Sequence, residues 1–350
     1  MYQTWQRKLE AEPVDFLGRH LAGLLAEARQ RLADFVGAQA DNLIFVPNLT
    51  HGMNILARSL ALQPGDEVLS TDHEYGAVDR IWRFNCQKQG ARYIAQPIPV
   101  PVRDVSEVVN QLWAGVTERT RIISLSHITS PTALIFPVAE VCRRARAAGI
   151  LTIVDGAHAP GQIDLNLEAL GADFYVANCH KWLCAPKGSG FLFAQPECQA
   201  LLEPLIVGWG WQSAKPGPSR FIDYFQSSGT DDPAAYLSVP AAIDFQAEYD
   251  WPQVRAACHE LARQARAELQ QLSDLPPICP DSEMWWQQMF TVPLPPCDVE
   301  VVGCRLREEF GVEVPVITWQ EQPYIRISIQ VYNQPQDIER LLAALREILF

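Results

Sequence analysis

Ionisable side chains stand directly after two apolar runs that are rich in strand-forming residues. Asp155 ends the run ILTIVD, and a Gly-rich turn then presents His158. His180 and Lys181 come shortly after the run FYVAN. In open α/β sheets ligands gather at the carboxyl ends of the strands, so these residues are candidates for chemistry. Each also has a simpler interpretation, because Asp often serves a turn and a loop Lys is usually a solvated surface charge.

The residues around Lys181 favour a chemical role. Trp182 and Leu183 follow it directly, and an amine partly withdrawn from water loses basicity and becomes a nucleophile suited to imine formation. Asp155, on a neighbouring strand end, could keep a pyridine nitrogen protonated as an electron sink. An amine and a carboxylate are two of the parts that a site for pyridoxal 5'-phosphate (PLP) needs.

A third segment could hold a phosphate group. IFVPNLTHGMNILARSL runs from a predicted strand through a polar turn into a predicted helix. We expect the backbone N–H groups of Thr50, His51 and Gly52 to point outward there, where unpaired N–H groups and the helix dipole attract phosphate. Asn48 or Thr50 could equally be a simple N-cap, which is compatible with either role.

The elements that must position these residues alternate between strand and helix. A first amphipathic helix is predicted over residues 14–36. Short apolar runs lie at residues 42–46, 67–71, 92–95, 122–126, 151–154, 174–177 and 191–193. Several of them lack alternation, as expected of strands buried on both faces. Helical patterns between them lie at residues 52–62, 106–116 and 137–148. This order predicts an α/β fold with a mostly parallel sheet between helices.

The pattern changes after about residue 240. Helices predicted over residues 253–272, 299–310 and 335–349 alternate with the strand-like stretches WWQQMFTVPL, VEVPVIT and YIRISIQVY. This is the pattern of a smaller α+β unit. We therefore predict a large cofactor-binding domain over residues 20–245 and a small α+β domain made of residues 1–19 and 246–350.

Composition narrows the choice of partners and compartment. The net charge of −13 and the lack of a long Lys/Arg run argue against nucleic acid and anionic membranes. No apolar run approaches the roughly 20 residues of a spanning helix, and the first residues are too polar for a signal peptide. Nine cysteines without a C-x-x-C pair suit buried free thiols. We expect a cytoplasmic protein.

Two other kinds of site do not fit the motifs. The histidines form no H-E-x-x-H or comparable cluster, so no metal site is predicted. The GSG at residues 188–190 lacks a third glycine and leads into the strand-like FLF. A nucleotide-binding oxidoreductase would need a helix there to meet the phosphates.

The three chemical segments, together with STDHEYGAV and SHITSPTALIFPV, resemble class V aminotransferases of the fold-type I PLP-dependent enzymes. Within that class the sequence is most similar to isopenicillin N epimerase-like proteins and, more distantly, to cysteine desulfurases. The resemblance covers nearly the whole chain, and the motifs arrive in the family's order. It implies the fold-type I architecture and PLP as the cofactor.

The resemblance also implies roles around the cofactor ring. Lys181 would form the Schiff base with PLP, Asp155 would pair with the pyridine nitrogen, and His158 would hydrogen-bond the ring hydroxyl oxygen. His73 would stack on the ring, with Tyr75 as the alternative. A satisfied core or turn histidine is the simpler interpretation of His73.

Further contacts follow from the same resemblance. The phosphate would be surrounded by Thr50, His51, Gly52, Asn178 and His180. Gly229 and Thr230 would reach the phosphate of a neighbouring subunit, which implies a homodimer. Arg326 would clamp the α-carboxylate of the substrate, which its planar guanidinium can bind in a bidentate manner; an edge-strand charge facing water is the alternative. Ser130 lies near where desulfurases place an Asn by the cofactor.

The sequence departs from the family pattern in two places. The family usually begins with a Gly-rich stretch that shapes the substrate pocket, whereas this sequence starts in the first helical region. Desulfurases that pass on a persulfide carry a Cys on a loop of the later domain, and the matching stretch GVEVPVITWQEQPY has none. Cys304 lies inside a helical pattern, where a thiol is normally buried packing. Persulfide transfer is therefore disfavoured.

The function expected from the resemblance is an enzyme that labilises bonds at the α-carbon of an amino acid or amino-acid derivative. Epimerisation or C–S bond lysis is expected ahead of cysteine desulfuration and transamination. A PLP-binding dimeric protein without catalysis is an alternative from another class. The presence of both Lys181 and Arg326 argues against it.

Overall fold

The computed structural model describes residues 1–349. The helices are α1 (Tyr2–Ala11), α2 (Pro13–Asp15), α3 (Leu21–Val36), α4 (Leu49–Ser59), α5 (Gly76–Gln89), α6 (Val105–Trp113), α7 (Val138–Ala147), α8 (Leu167–Leu170), α9 (Arg220–Gln226), α10 (Ala234–Leu237), α11 (Val239–Glu248), α12 (Trp251–Ser273), α13 (Val299–Phe310) and α14 (Pro335–Leu349). The strands are β1 (Leu43–Val46), β2 (Glu67–Thr71), β3 (Arg92–Gln96), β4 (Thr120–Ser126), β5 (Leu151–Asp155), β6 (Phe174–Asn178), β7 (Gly190–Ala194), β8 (Met289–Pro293), β9 (Val316–Trp319) and β10 (Gln322–Ser328). A π-helical turn (Phe16–His20) precedes α3, and short 3-10 turns lie at Ala40–Asn42 and Pro196–Leu201.

Seven strands form the main sheet in the order β1-β7-β6-β5-β4-β2-β3. The strands from β6 to β3 in this order run parallel, and β7 is antiparallel to both of its neighbours. Successive residues belong to different apolar clusters, as Ile153 and Val154 do, because side chains alternate between the two faces of a strand. Helices cover both faces of this sheet. The predicted α/β fold, a mostly parallel sheet between helices, is therefore confirmed.

Strand register aligns the carboxyl ends of the central strands. Ser126 of β4 pairs with Asp155 of β5, and Asp155 pairs with Val176 of β6. Lys181 follows shortly after the end of β6. Asp155 and Lys181, two of the residues expected to carry chemistry, therefore meet at one edge of the sheet.

The second unit is a three-stranded antiparallel sheet in the order β8-β10-β9, packed against α12 and α13, which in turn contact α14. Its apolar residues continue the core of the main sheet, since Ile325 and Phe191 belong to the same buried cluster. Residues 1–19, which we assigned to the small domain, contribute Leu9 and Phe16 to a cluster with Leu237 of α10. The division at residues 19 and 245 stays a prediction. Among residues 1–349, none of the helices is both long and apolar enough to cross a bilayer.

The first turn of α4 packs closely against β6. A Cβ added at Gly52 would lie 2.5 Å from Cγ1 of Val176, which is far inside van der Waals contact. The close approach of α4 and β6 therefore requires a residue without a side chain at position 52. This approach brings the helix start to the same sheet edge as Asp155 and Lys181.

We expect Gly52→Ala to lower the free energy of unfolding by on the order of 1–3 kcal/mol, because overpacking forces α4 away from β6. Gly23→Ala in α3 is the matched control, since nothing lies within 4 Å of its added Cβ. The control should be neutral or stabilising by about 0.5–1 kcal/mol, because Gly is disfavoured inside helices. Urea unfolding measures the stability of both variants and of the wild type. A Gly52→Ala variant as stable as the wild type would contradict close packing of α4 against β6.

Candidate active site

The amine of Lys181 lies against the ring of His158. Lys181 Nζ and His158 Nε2 are 3.0 Å apart, and the indole N–H of Trp182 donates to His158 Nδ1 at 3.2 Å. Burial lowers the pKa of Lys181, an effect that the charge of Asp155 opposes and that of Arg326 reinforces. Burial also lowers the pKa of His158 well below its ordinary value. The loss of water thus favours an uncharged, nucleophilic amine.

Asp155 is a buried carboxyl group at the end of β5. Its Oδ1 accepts the backbone N–H of Ala157 at 2.9 Å, which leaves Oδ2 for a further donor. Burial raises the pKa of Asp155 to about 6, although the charge of Lys181 lowers it. A cationic N–H partner would favour the ionised form of this carboxyl.

Arg326 reaches the site from the small sheet. Its Nη1 donates to the backbone oxygen of Ser130 at 2.5 Å and to Ser130 Oγ at 3.1 Å. Its charge helps to lower the pKa values of Lys181 and His158. Arg326 Nε is buried and has no hydrogen-bond partner within residues 1–349. An external acceptor such as a carboxylate would satisfy it, and Ser130 acts as the anchor of the guanidinium.

Most backbone N–H groups at the start of α4 already have hydrogen-bond acceptors within the protein. Asn48 Oδ1 accepts the N–H of His51 at 2.9 Å, and Asn178 Oδ1 accepts the N–H of Leu49 at 2.8 Å. The N–H of Gly52 donates to the backbone oxygen of Asn48 at 3.2 Å. The expectation that the N–H groups of His51 and Gly52 point outward is therefore wrong, because the N-cap and the first helical bond engage them. Thr50 is left as the backbone donor of this set.

The other predicted phosphate residues flank this helix start. The amide nitrogen of Asn178 is left as its possible donor, since its oxygen holds Leu49. His180 Nδ1 donates to the backbone oxygen of Ser189 at 3.0 Å, which turns Nε2 toward other partners. His51 and Gly229 line a cavity of about 390 Å³. Gly229 and Thr230 lie in an exposed segment.

His73 does not occupy a stacking position. Its exposed fraction is 0%, its Nε2–H donates to the backbone oxygen of Ile98 at 2.7 Å, and its Nδ1 lies 2.7 Å from Thr132 Oγ1. Its ring packs against Trp319 at 4.4 Å between centroids. The stacking role expected of His73 does not fit this geometry, because neither face of the ring is open to a ligand. The histidine is a satisfied core residue.

Glu74 carries a half-buried carboxyl group that was not among the expected site residues. It accepts hydrogen bonds from the hydroxyl groups of Thr71 and Ser126, each at 2.6 Å. Its pKa is raised to about 7, chiefly by burial and also by the charge of nearby Asp155, although the hydrogen bonds from Ser126 and Thr71 lower it. The available signal was its place between two candidate stacking residues in TDHEYGA. The site therefore contains a second carboxyl group beside that of Asp155.

The chain is similar to proteins of known name. The profile of the family described as Aminotransferase class-V matches residues 9–341. Isopenicillin N epimerase of Amycolatopsis lactamdurans is 37% identical, with 99% of this chain and 90% of that protein covered. A probable cysteine desulfurase of Vibrio cholerae is 29% identical, with coverages of 91% and 81%. A solved complex of a cystine C–S lyase superposes with a TM-score of 0.86 at 22% identity, covering 98% of this chain and 92% of that one. This last likeness concerns the fold alone.

The raised pKa of Glu74 predicts how stability depends on pH. With its pKa raised to about 7, the folded chain keeps a proton that the unfolded chain releases near pH 4.3. Stability therefore falls as pH rises through this window. From pH 5 to 7.5, the free energy of unfolding of the wild type should fall by on the order of 1–3 kcal/mol relative to Glu74→Gln. Urea titrations of the cofactor-free proteins measure it.

The control for this comparison is Glu118→Gln, which removes a carboxylate at an exposed position. The carboxyl of Asp155 is present in every variant, so its own titration contributes to all of the curves. Parallel curves for the wild type and Glu74→Gln would show that the Glu74 carboxyl is not held protonated by the fold.

Proposed function

The chain belongs to the aminotransferase class-V family, and from this premise we propose that it is a PLP-dependent enzyme acting at the α-carbon of an amino acid or amino-acid derivative. Epimerisation is the reaction we place first, because the relative named isopenicillin N epimerase matches almost the whole chain at 37% identity. C–S bond lysis is placed second. The stretch from Gly311 to Tyr324 holds no cysteine, which disfavours persulfide transfer.

The observation that carries the proposal is the convergence of a desolvated amine, a buried carboxyl and an unsatisfied guanidinium. These groups belong to Lys181, Asp155 and Arg326, and each acts on the pKa of the lysine or its neighbour. They fit PLP and its substrate: Lys181 would hold the aldehyde carbon, and Asp155 Oδ2 would accept from the ring nitrogen. When bound, PLP supplies an electron sink for the electrons released at the α-carbon.

The protein's own groups would perform the proton transfers. The amine of Lys181, whose pKa burial lowers, is the general base for the α-proton and returns it to the carbon. Arg326 would hold the substrate carboxylate through its unpaired Nε–H and orient the α-hydrogen toward the lysine. Asp155 would keep the ring nitrogen protonated. Epimerisation then requires that a proton also reach the opposite face of the carbon.

We assign the stacking role to Tyr75 in place of His73. Tyr75 precedes α5, next to Glu74, and 47% of its surface is exposed. An exposed aromatic ring can cover one face of a planar cofactor, which a buried ring cannot. For the phosphate, we propose the backbone of Thr50, the amide of Asn178 and the ring of His180.

Exchange of the α-proton tests the function. The purified, PLP-loaded protein is given L- and D-amino acids in deuterated water, including derivatives with large acyl side chains. We expect deuterium at the α-carbon and inversion of configuration, followed by mass spectrometry and chiral chromatography. Pyruvate or sulfide in place of inversion would support the lyase. No exchange by PLP-loaded protein across the panel would contradict action at the α-carbon.

Two variants in the same experiment separate the roles. Lys181→Ala should abolish exchange and the borohydride-stable attachment of PLP, since the amine is lost. Arg326→Lys should keep the bound cofactor but lower kcat/KM by about 10- to 100-fold, chiefly through KM, because Lys cannot bind a carboxylate bidentately.

We further propose that two copies of the chain form a homodimer, with Gly229 and Thr230 of one copy near the phosphate of the other. An exposed apolar stretch precedes this segment and supports an interface: its large side chains are Ile206, Val207, Trp209 and Trp211. Trp209 is 90% exposed, and aromatic side chains of this kind are commonly anchors of interfaces.

Sedimentation tests the dimer. We expect the wild type to sediment at twice the mass of the chain and Trp209→Asp to weaken association by about 10- to 100-fold, because a charge replaces an apolar anchor. Tyr332→Asp is the matched control, since Tyr332 is also strongly exposed, at 76%, but lies in the turn before α14. A monomeric wild type, or equal effects of both substitutions, would contradict this interface.

A further inference from the structure

Trp182 is held rigidly beside the lysine that it follows. Its exposed fraction is 7%, and its backbone oxygen accepts Gln246 Nε2–H at 3.0 Å. Gly161 faces the same oxygen so closely that a Cβ there would lie at 2.4 Å. With its backbone fixed on two sides, the indole ring is directed at His158, where its N–H donates to Nδ1 at 3.2 Å.

This contact decides where His158 carries its proton. An indole N–H can only donate a hydrogen bond, so the nitrogen that it meets must have a free lone pair. Nδ1 of His158 is therefore bare, and the single ring proton of the neutral histidine sits on Nε2. Nε2 lies 3.0 Å from Lys181 Nζ. An N–H on that nitrogen can only be accepted by an uncharged amine.

We propose that Trp182 is a positioning residue that holds the ring proton of His158 on Nε2, making this histidine a permanent donor toward the amine of Lys181 and the space beside it. The inference deepens the proposed function, on which it rests for the use made of Lys181. The same donor suits an anionic ring oxygen of PLP, which needs a hydrogen bond and which a bare nitrogen would repel.

The charged groups around the pair agree with this arrangement. Arg326 disfavours a cation on either His158 or Lys181, and Asp155 favours one on the lysine. Burial has a larger effect than either of these charges, and it favours the uncharged forms of His158 and Lys181. Without the indole donor, Nδ1 could take the proton and the bare Nε2 could then accept from a charged Lys181. Trp182 prevents this second arrangement, because its indole N–H and an N–H on Nδ1 of His158 would then face each other without an acceptor.

The tautomer can be read directly in the cofactor-free protein. Protein labelled with ¹⁵N-histidine is compared with Trp182→Phe by long-range ¹H–¹⁵N correlation, which distinguishes a protonated ring nitrogen from a bare one. His158→Gln assigns the signal. We expect neutral His158 with the proton on Nε2 in the wild type, and a substantial population protonated on Nδ1 in Trp182→Phe.

The second readout is the pH profile of Lys181 acylation by a small anhydride, followed by mass spectrometry of peptides. In Trp182→Phe the midpoint should rise by about one pH unit, since one hydrogen bond that disfavours the charged amine is lost. In a His158→Gln background, Trp182→Phe should have no such effect. The matched control is Trp286→Phe, because Trp286 is 1% exposed and its indole nitrogen has no hydrogen-bond partner within residues 1–349.

These results separate positioning from general packing. A proton on Nδ1 or a charged ring in the wild type would overturn the inference. So would an unchanged tautomer in Trp182→Phe, or a midpoint shift that persists in the His158→Gln background. Neither readout uses PLP. A protein that fails to bind PLP would therefore contradict the proposed function without contradicting this inference.

Discussion

The structure depends on keeping one lysine amine largely out of water beside a buried carboxyl group. Desolvation of either charged group is costly, and the protein offsets it through few contacts. His158 faces the amine of Lys181, and one backbone N–H supports Asp155. Burial lowers the pKa of the amine and raises that of the carboxyl to about 6. The two groups are thereby brought closer in acidity, which suits a site that must both hold and release protons.

The fold supplies the rigidity that such a site needs. Parallel strands end at one edge of the main sheet and place Asp155 beside the loop of Lys181, while the small sheet brings Arg326 from the other side. Ser130, in the loop after β4, joins the two units by holding the guanidinium. The site therefore exists only when both units are folded against the same core.

Most of the framework could be predicted from periodicity and motif order. Several strands of the main sheet lack alternation because helices cover both of their faces, so these strands were visible as apolar runs. Asp155 and Lys181 lie at the carboxyl ends of β5 and β6, at the edge of the sheet where strand order predicted them. The stacking role expected of His73 does not fit the structure for a specific reason. His73 lies two residues after β2, and its ring turns into the core, where Ile98 and Thr132 engage both ring nitrogens. Nothing in TDHEYGA distinguishes a ring turned inward from one facing the cofactor.

The sequence by itself determined the family, the order of elements and the residue types at the sheet edge. These follow from local patterns, because strand burial and motif spacing are written along the chain. Tertiary structure alone decided which donors are free and which are engaged. Arg326 and its anchor Ser130 are 196 residues apart, and His158 is 23 residues from the lysine it faces. Hydrogen-bond partners so distant along the chain are chosen by packing, and local sequence carries no record of that choice.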